Sequence, residues 1–165
     1  MRTKARTIET LQAVLSKSTI CDYVIFTIAE WRESRGRVIQ DIQSKLPDQN
    51  IIVRSSALNE DNTYHSMAGA FDSVKNVKTK EVGQLISSID QVIASYGDNC
   101  DLYNEVLIQT MAPDVSVSGV VFTHELNYGS PYYVINYDDT SGRTDMVTKG
   151  TTPDITTILI NKSKI

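Results

Sequence analysis

The run Ile51-Ile52-Val53-Arg54-Ser55-Ser56-Ala57 closes an apolar stretch with a guanidinium and two hydroxyls. A guanidinium offers forked, charge-assisted hydrogen bonds to phosphate oxygens, and adjacent serines add neutral ones, so Arg54, Ser55 and Ser56 are candidates for holding a phosphate chain. The competing reading is a strand-end arginine paired with Glu60 or Asp61. Ser66-Met67-Ala68-Gly69 is either a cover loop whose backbone N–H groups wrap a phosphate, with Gly69 allowing close approach, or a tight turn into the next strand. His65 beside it is a phosphoryl-acceptor candidate or a solvated loop histidine.

Adenine asks for an apolar slot and a backbone edge with one donor and one acceptor. The run Glu105-Val106-Leu107-Ile108-Gln109-Thr110-Met111, leading to Pro113, supplies both if it is a strand leaving a lobe. Otherwise it is an ordinary core strand with Gln109 exposed. Magnesium favours one or two carboxylates with phosphate oxygens and water. Tyr137-Asp138-Asp139 and Asp145 offer such carboxylates, or form a solvated acidic turn.

These groups need elements to carry them. Ile8, Leu11, Ala13 and Val14 recur at helical spacing over residues 7–15 and place Lys4 near a helix start. Residues 23–27 read as a strand. Residues 27–46 contain a helix with Trp31, Val38, Ile42 and Leu46 inward, and Pro47-Asp48-Gln49-Asn50 turns into the Ile51 strand. Residues 70–77 alternate as a strand does. Residues 79–96 form the clearest helix, with Val82, Leu85, Ile86, Ile89, Val92 and Ile93 on one face and Gly97-Asp98-Asn99 at its end. Strands follow at 105–111, 115–123 and 132–137, the last two divided by turn residues and so antiparallel, and an apolar run at 158–160 reads as another. The expected class is α+β in two lobes, residues 1–111 and a mostly β second lobe over 112–165, with a junction near Met111-Ala112-Pro113-Asp114.

With 41% hydrophobic residues the chain can bury a core, and no run reaches the roughly 20 apolar residues that span a bilayer. The N-terminus has no signal-peptide core, which points to a soluble, cytoplasmic protein. A net charge of −4 with scattered basic residues gives no field for nucleic acid. Cys21 and Cys100 lack the paired spacing of a zinc site and read as free thiols. Both ends read as cut, so the functional unit is expected to be larger.

Taken in order, these segments resemble the nucleotide-binding domain of phosphoenolpyruvate synthase, pyruvate phosphate dikinase and the rifampicin phosphotransferases. Thr3-Lys4-Ala5 with Thr10-Leu11 resembles the family's opening glycine-lysine-alanine segment and its helix, with Arg2 where a glycine is usual. Val53-Arg54-Ser55-Ser56-Ala57, Glu60-Asp61, Ser66-Met67-Ala68-Gly69 and Asn76-Val77 follow its most distinctive run. Ile108-Gln109-Thr110-Met111 is similar to the adenine-side strand, and Ser118-Gly119-Val120-Val121-Phe122-Thr123 to a later one. Lys149-Gly150 with Thr152-Pro153-Asp154 is similar to the closing segment.

The resemblance implies an ATP-grasp-like fold with ATP and Mg2+ between two lobes. By match, Lys4 contacts the nucleotide and phosphates, Arg54 the transferred phosphate, Gln109, Thr110 and Met111 the adenine, and Asp138 the metal. It also implies a phosphotransferase whose phosphohistidine and acceptor domains lie outside this chain, with pyruvate or another small molecule as acceptor. Ser130 stands near a position where the dikinases carry an acidic metal ligand, and Asp138 where they have glutamine. A non-catalytic nucleotide-binding or regulatory module is therefore the alternative.

Overall fold

The computed structural model describes residues 3–58, 61–62, 65–66, 71–98, 100–149 and 155–164. Two compact units divide the chain, Met1–Met111 and Ala112–Ile165. The first contains α1 (Lys4–Val14), β1 (Tyr23–Thr27), α2 (Ile28–Glu33), α3 (Arg35–Lys45), β2 (Asn50–Ser56), the short β3 (Asp61–Asn62) and β4 (His65–Ser66), β5 (Ser73–Lys78), α4 (Val82–Ala94) and β6 (Glu105–Thr110). The second contains β7 (Ser118–Phe122), β8 (Tyr132–Asp138), α5 (Met146–Lys149), β9 (Thr156–Asn161) and a 3-10 turn, Lys162–Lys164. The mixed α+β class and the antiparallel sheets agree with the pattern of apolar residues.

Four strands of the first unit run in the order β1-β6-β2-β5, all antiparallel, so the late strand β6 lies between β1 and β2. Alternation sends Val24, Phe26, Val106, Ile108, Ile51 and Val53 to one face. There they pack with Trp31 of α2, Val38 and Ile42 of α3, and Leu85, Ile89 and Val92 of α4. Full burial of an aliphatic side chain of this kind contributes about 1.5–3 kcal/mol. The 85, 89, 92 spacing is the one-sided stripe of a surface helix. Val82, expected on that stripe, is instead exposed at the first turn.

The single helix expected over 27–46 is two. Thr27 and Glu30 form a capping box that starts α2, and the backbone of Ser34 leaves helical geometry at φ −151° and ψ 73° before α3 begins. The strand over 70–77 begins later, at Ser73, and its pairing with β2 slips by one residue between Ile51 and Val53. Asn76 sits at φ 59° in that irregularity, a left-handed conformation that asparagine tolerates better than most residues.

In the second unit β8 is the middle strand of an antiparallel sheet, β7-β8-β9. Gly119 of β7 pairs with Tyr137, and a Cβ added there would lie 2.6 Å from the Asn136 carbonyl. Among the described residues, no helix is long and apolar enough to cross a membrane. Cys21 and Cys100 carry free thiols.

Candidate functional site

The helices α2 to α4 cover one face of the four-stranded sheet, and the opposite face carries most of the candidate residues of β2 and β6. Cross-strand partners share a face, so Arg54 lies beside Leu107, Ile52 beside Gln109, and Ser56 beside Glu105. Arg54, Ser56 and Gln109 are thereby brought to one surface. Ser55 is not: it pairs with Val106 on the helix-covered face and is buried.

Helix α1 docks on the end of this surface. Its Nζ-bearing residue, Lys4, donates to the Ser55 carbonyl at 3.4 Å, across 51 positions of sequence. The Ala5 amide donates to Ser56 Oγ at 2.9 Å, and Ser56 is fully buried. Thr3 caps the helix by accepting from the Arg6 amide at 3.1 Å. It also donates its hydroxyl to Glu105 Oε2 at 2.6 Å. Glu105 Oε1 accepts from Arg6 Nε at 2.7 Å, and Arg6 Nη2 lies 2.7 Å from the same oxygen. The Arg6 pKa is raised chiefly by its hydrogen bond to Glu9, against a smaller opposing effect of burial, with the Glu105 charge adding to the rise.

The hydroxyl of Tyr96, just past α4, enters the same corner. It accepts from the Ser56 amide at 2.7 Å and donates to the Glu105 carbonyl at 2.6 Å. Alternation from the bond between the Met111 amide and the Asn50 carbonyl, 2.9 Å, makes Ser56 and Glu105 a hydrogen-bonded pair of the ladder. Tyr96 therefore stands in place of a rung, and β2 and β6 part beyond it. Leu58 continues the divergence by donating its amide to Asn104 Oδ1 at 2.9 Å.

The adenine-side candidates occupy the other end of β6. Four ladder positions separate the Ser55–Val106 pair from the Ile51–Thr110 pair, about 13 Å at a strand's rise of about 3.3 Å per residue. That is the scale of an extended ribose and triphosphate. The Thr110 amide donates to the Asp22 carbonyl and the Met111 amide to the Asn50 carbonyl, both at 2.9 Å. Gln109 is half-buried beside Tyr23 and Ile52.

In the second unit Asp138 ends β8 and is only 5% exposed. Its Oδ1 accepts from the Thr140 amide at 2.9 Å, the Thr140 hydroxyl at 3.0 Å and the Ser141 amide at 3.0 Å. Its Oδ2 accepts from the Ser141 hydroxyl. These bonds, the Ser141 hydroxyl foremost, hold its pKa well below the usual carboxylate range. The carboxylate is spent on closing its own turn, which does not fit an oxygen pair held ready for magnesium. Asp145 is engaged with Arg143 at 3.2 Å. The Ser130 carbonyl accepts from the Glu125 amide at 3.1 Å and the Tyr132 amide at 2.7 Å. Among the described residues no three His, Cys, Asp or Glu side chains converge on one point.

The family model for the pyruvate phosphate dikinase AMP/ATP-binding domain matches residues 3–164. The chain belongs to this family. No curated protein matches it. For a dikinase AMP/ATP-binding domain, the site above gathers Lys4, Arg54 and Ser56 at one end of a sheet face and Gln109 toward the other. Gly69 and the rest of 67–70, Glu60, and residues 150–154 lie outside the described residues, and Asp61, His65 and Ser66 are described by backbone alone.

Sequence reasoning missed Glu105, Arg6 and Tyr96. The signal for Glu105 was a carboxylate opening the apolar run Val106-Leu107-Ile108, with no lysine or arginine between Lys80 and Arg143 to pair with it. Ser55 carried a signal too, since alternation from the inward Val53 turns it to the core. A groove of about 430 Å³ along β1, lined by Val24, Phe26, Glu33, Arg37, Val38 and Asp41 among others, shares no residue with the site.

Proposed function

We propose that this dikinase-family domain holds the phosphates of ATP at the Arg54–Ser56 end of β2 and the adenine near Gln109–Met111. As part of a larger protein it passes a phosphoryl group to a histidine on another domain, and from there to pyruvate or another small acceptor. The observation that carries this reading is Lys4 at 3.4 Å from the Ser55 carbonyl, which sets an ammonium at the end of the strand that carries Arg54. Two cations there offset phosphate charge, and phosphoryl transfer asks mainly for positioning and charge neutralisation. Lys4 and Arg54 are assigned the catalytic contacts, and the buried Ser56 supports them by holding the first turn of α1 through the Ala5 amide. A first ATP-grasp lobe over 1–111 and a second, mostly β lobe over 112–165 belong to the same proposal, as does a cytoplasmic setting. Magnesium would come with the nucleotide, and no step here runs through it.

Calorimetric titration with ATP tests the proposal. Arg54→Ala and Lys4→Ala should each weaken binding. Absence of binding, or binding indifferent to Arg54→Ala, overturns it. A second reading, a nucleotide-binding module without transfer, draws support from Asp138, which is committed to its turn, and from Ser130 in place of an acid. Incubation with labelled ATP and a phosphohistidine domain separates the two: label on the histidine supports transfer, and its absence alongside intact ATP binding supports the module.

A further inference from the structure

We infer that Glu105 is a positioning residue for Lys4. Its carboxylate reaches from β6, grips the first turn of α1 and so fixes where the phosphate-facing ammonium stands. The inference rests on the reading that Lys4 meets the phosphates of ATP.

Glu105 is 4% exposed, a costly place for a carboxylate unless its oxygens are engaged. Oε2 accepts from Thr3 Oγ1 at 2.6 Å and Oε1 from Arg6 Nε at 2.7 Å. Thr3 and Arg6 bracket Lys4, so both ends of the turn that carries the lysine are tied to one residue of β6. Little else ties α1 down by apolar contact. Ala5 is its one buried residue and Ile8 is half-buried, whereas Leu11 and Val14 are 41% and 69% exposed. A helix with so small an apolar footprint takes its placement from polar contacts, and the Glu105 clamp joins the Ala5–Ser56 bond in providing them. Glu105 itself is unsuited to touch the phosphates, because its charge repels them. Its effect on the nucleotide passes through Lys4.

The test is a set of ATP titrations on the wild type, Glu105→Gln, Lys4→Ala, the double variant, Thr3→Val and Thr3→Ser. Glu105→Gln should weaken ATP binding about tenfold, the scale of one charge-assisted hydrogen bond. It should add nothing in the Lys4→Ala background, since the group it positions is then gone. Thr3→Val should weaken binding, and Thr3→Ser, which keeps the hydroxyl, should restore it. Unchanged or tighter binding by Glu105→Gln overturns the inference, the latter revealing a purely repelling charge. Losses that sum in the double variant overturn it as well. If Lys4→Ala has no effect while Arg54→Ala weakens binding, the inference falls and the ATP reading stands; a wild type that does not bind ATP ends both. Should Glu105→Gln fail to fold, the Thr3 pair decides, and equal affinities of its two variants overturn the inference.

Discussion

Tyr96 donates its hydroxyl to the Glu105 carbonyl at 2.6 Å, in the place where the β2–β6 ladder would bring the Ser56 amide. The Tyr96 hydroxyl oxygen in turn accepts from that amide at 2.7 Å. Tyr96→Phe strips both backbone groups of this partner. The expected loss is about 1–3 kcal/mol of stability, measured by urea denaturation. A midpoint equal to that of the wild type would show that the strands close over the gap and restore the direct rung.

Lys4→Ala removes an ammonium without touching the Glu105 clamp. ATP affinity should fall by about 1.5–3 kcal/mol, the range of hydrogen bonds to charged groups. Lys4→Arg should retain part of it, because the charge is kept while the geometry changes. Titration calorimetry at two salt concentrations checks both, with the larger loss expected at low salt.

Gly119→Ala pushes a methyl group toward the Asn136 carbonyl, 2.6 Å from the Cβ position, in the β7–β8 ladder. Backbone must shift to admit it, at about 1–3 kcal/mol for an overpacked site. A lower thermal midpoint is the expected result. An unchanged midpoint would mean that the ladder yields without cost.

Asp138 ties the second unit to pH. Its folded pKa lies below the free value of about 4, so its contribution is complete at neutral pH and is lost as pH falls from about 4 toward the lower folded pKa. Stability of the wild type should drop as pH falls below about 4, and Ser141→Ala should flatten that drop by removing the largest cause of the shift. Denaturation midpoints across that window decide it, and equal slopes in the two proteins would refute the assignment.

Much of this architecture is written locally. The apolar alternation of residues 23–27 and 51–53 and the stripe at Leu85, Ile89 and Val92 are short-range patterns, and the elements follow them. The break at Ser34 was hidden because Trp31, Val38, Ile42 and Leu46 keep helical spacing across it, although Thr27 and Glu30 carry the spacing of a capping box. The site was legible as types of residue rather than as an arrangement. Arg54 and Lys4 announce themselves by charge, but the contacts from Thr3 and Arg6 to Glu105 span 102 and 99 positions, and no local rule reaches that far.

The strand order carries a last consequence, for assembly. β1 and β2 share no ladder, and β6 alone joins them. During synthesis the earlier strands therefore wait for the segment after residue 104, and the closure of that long loop carries an entropic cost met only when β6 inserts. The first turn of α1, synthesised long before β6, is anchored by Glu105 only once that strand is in place.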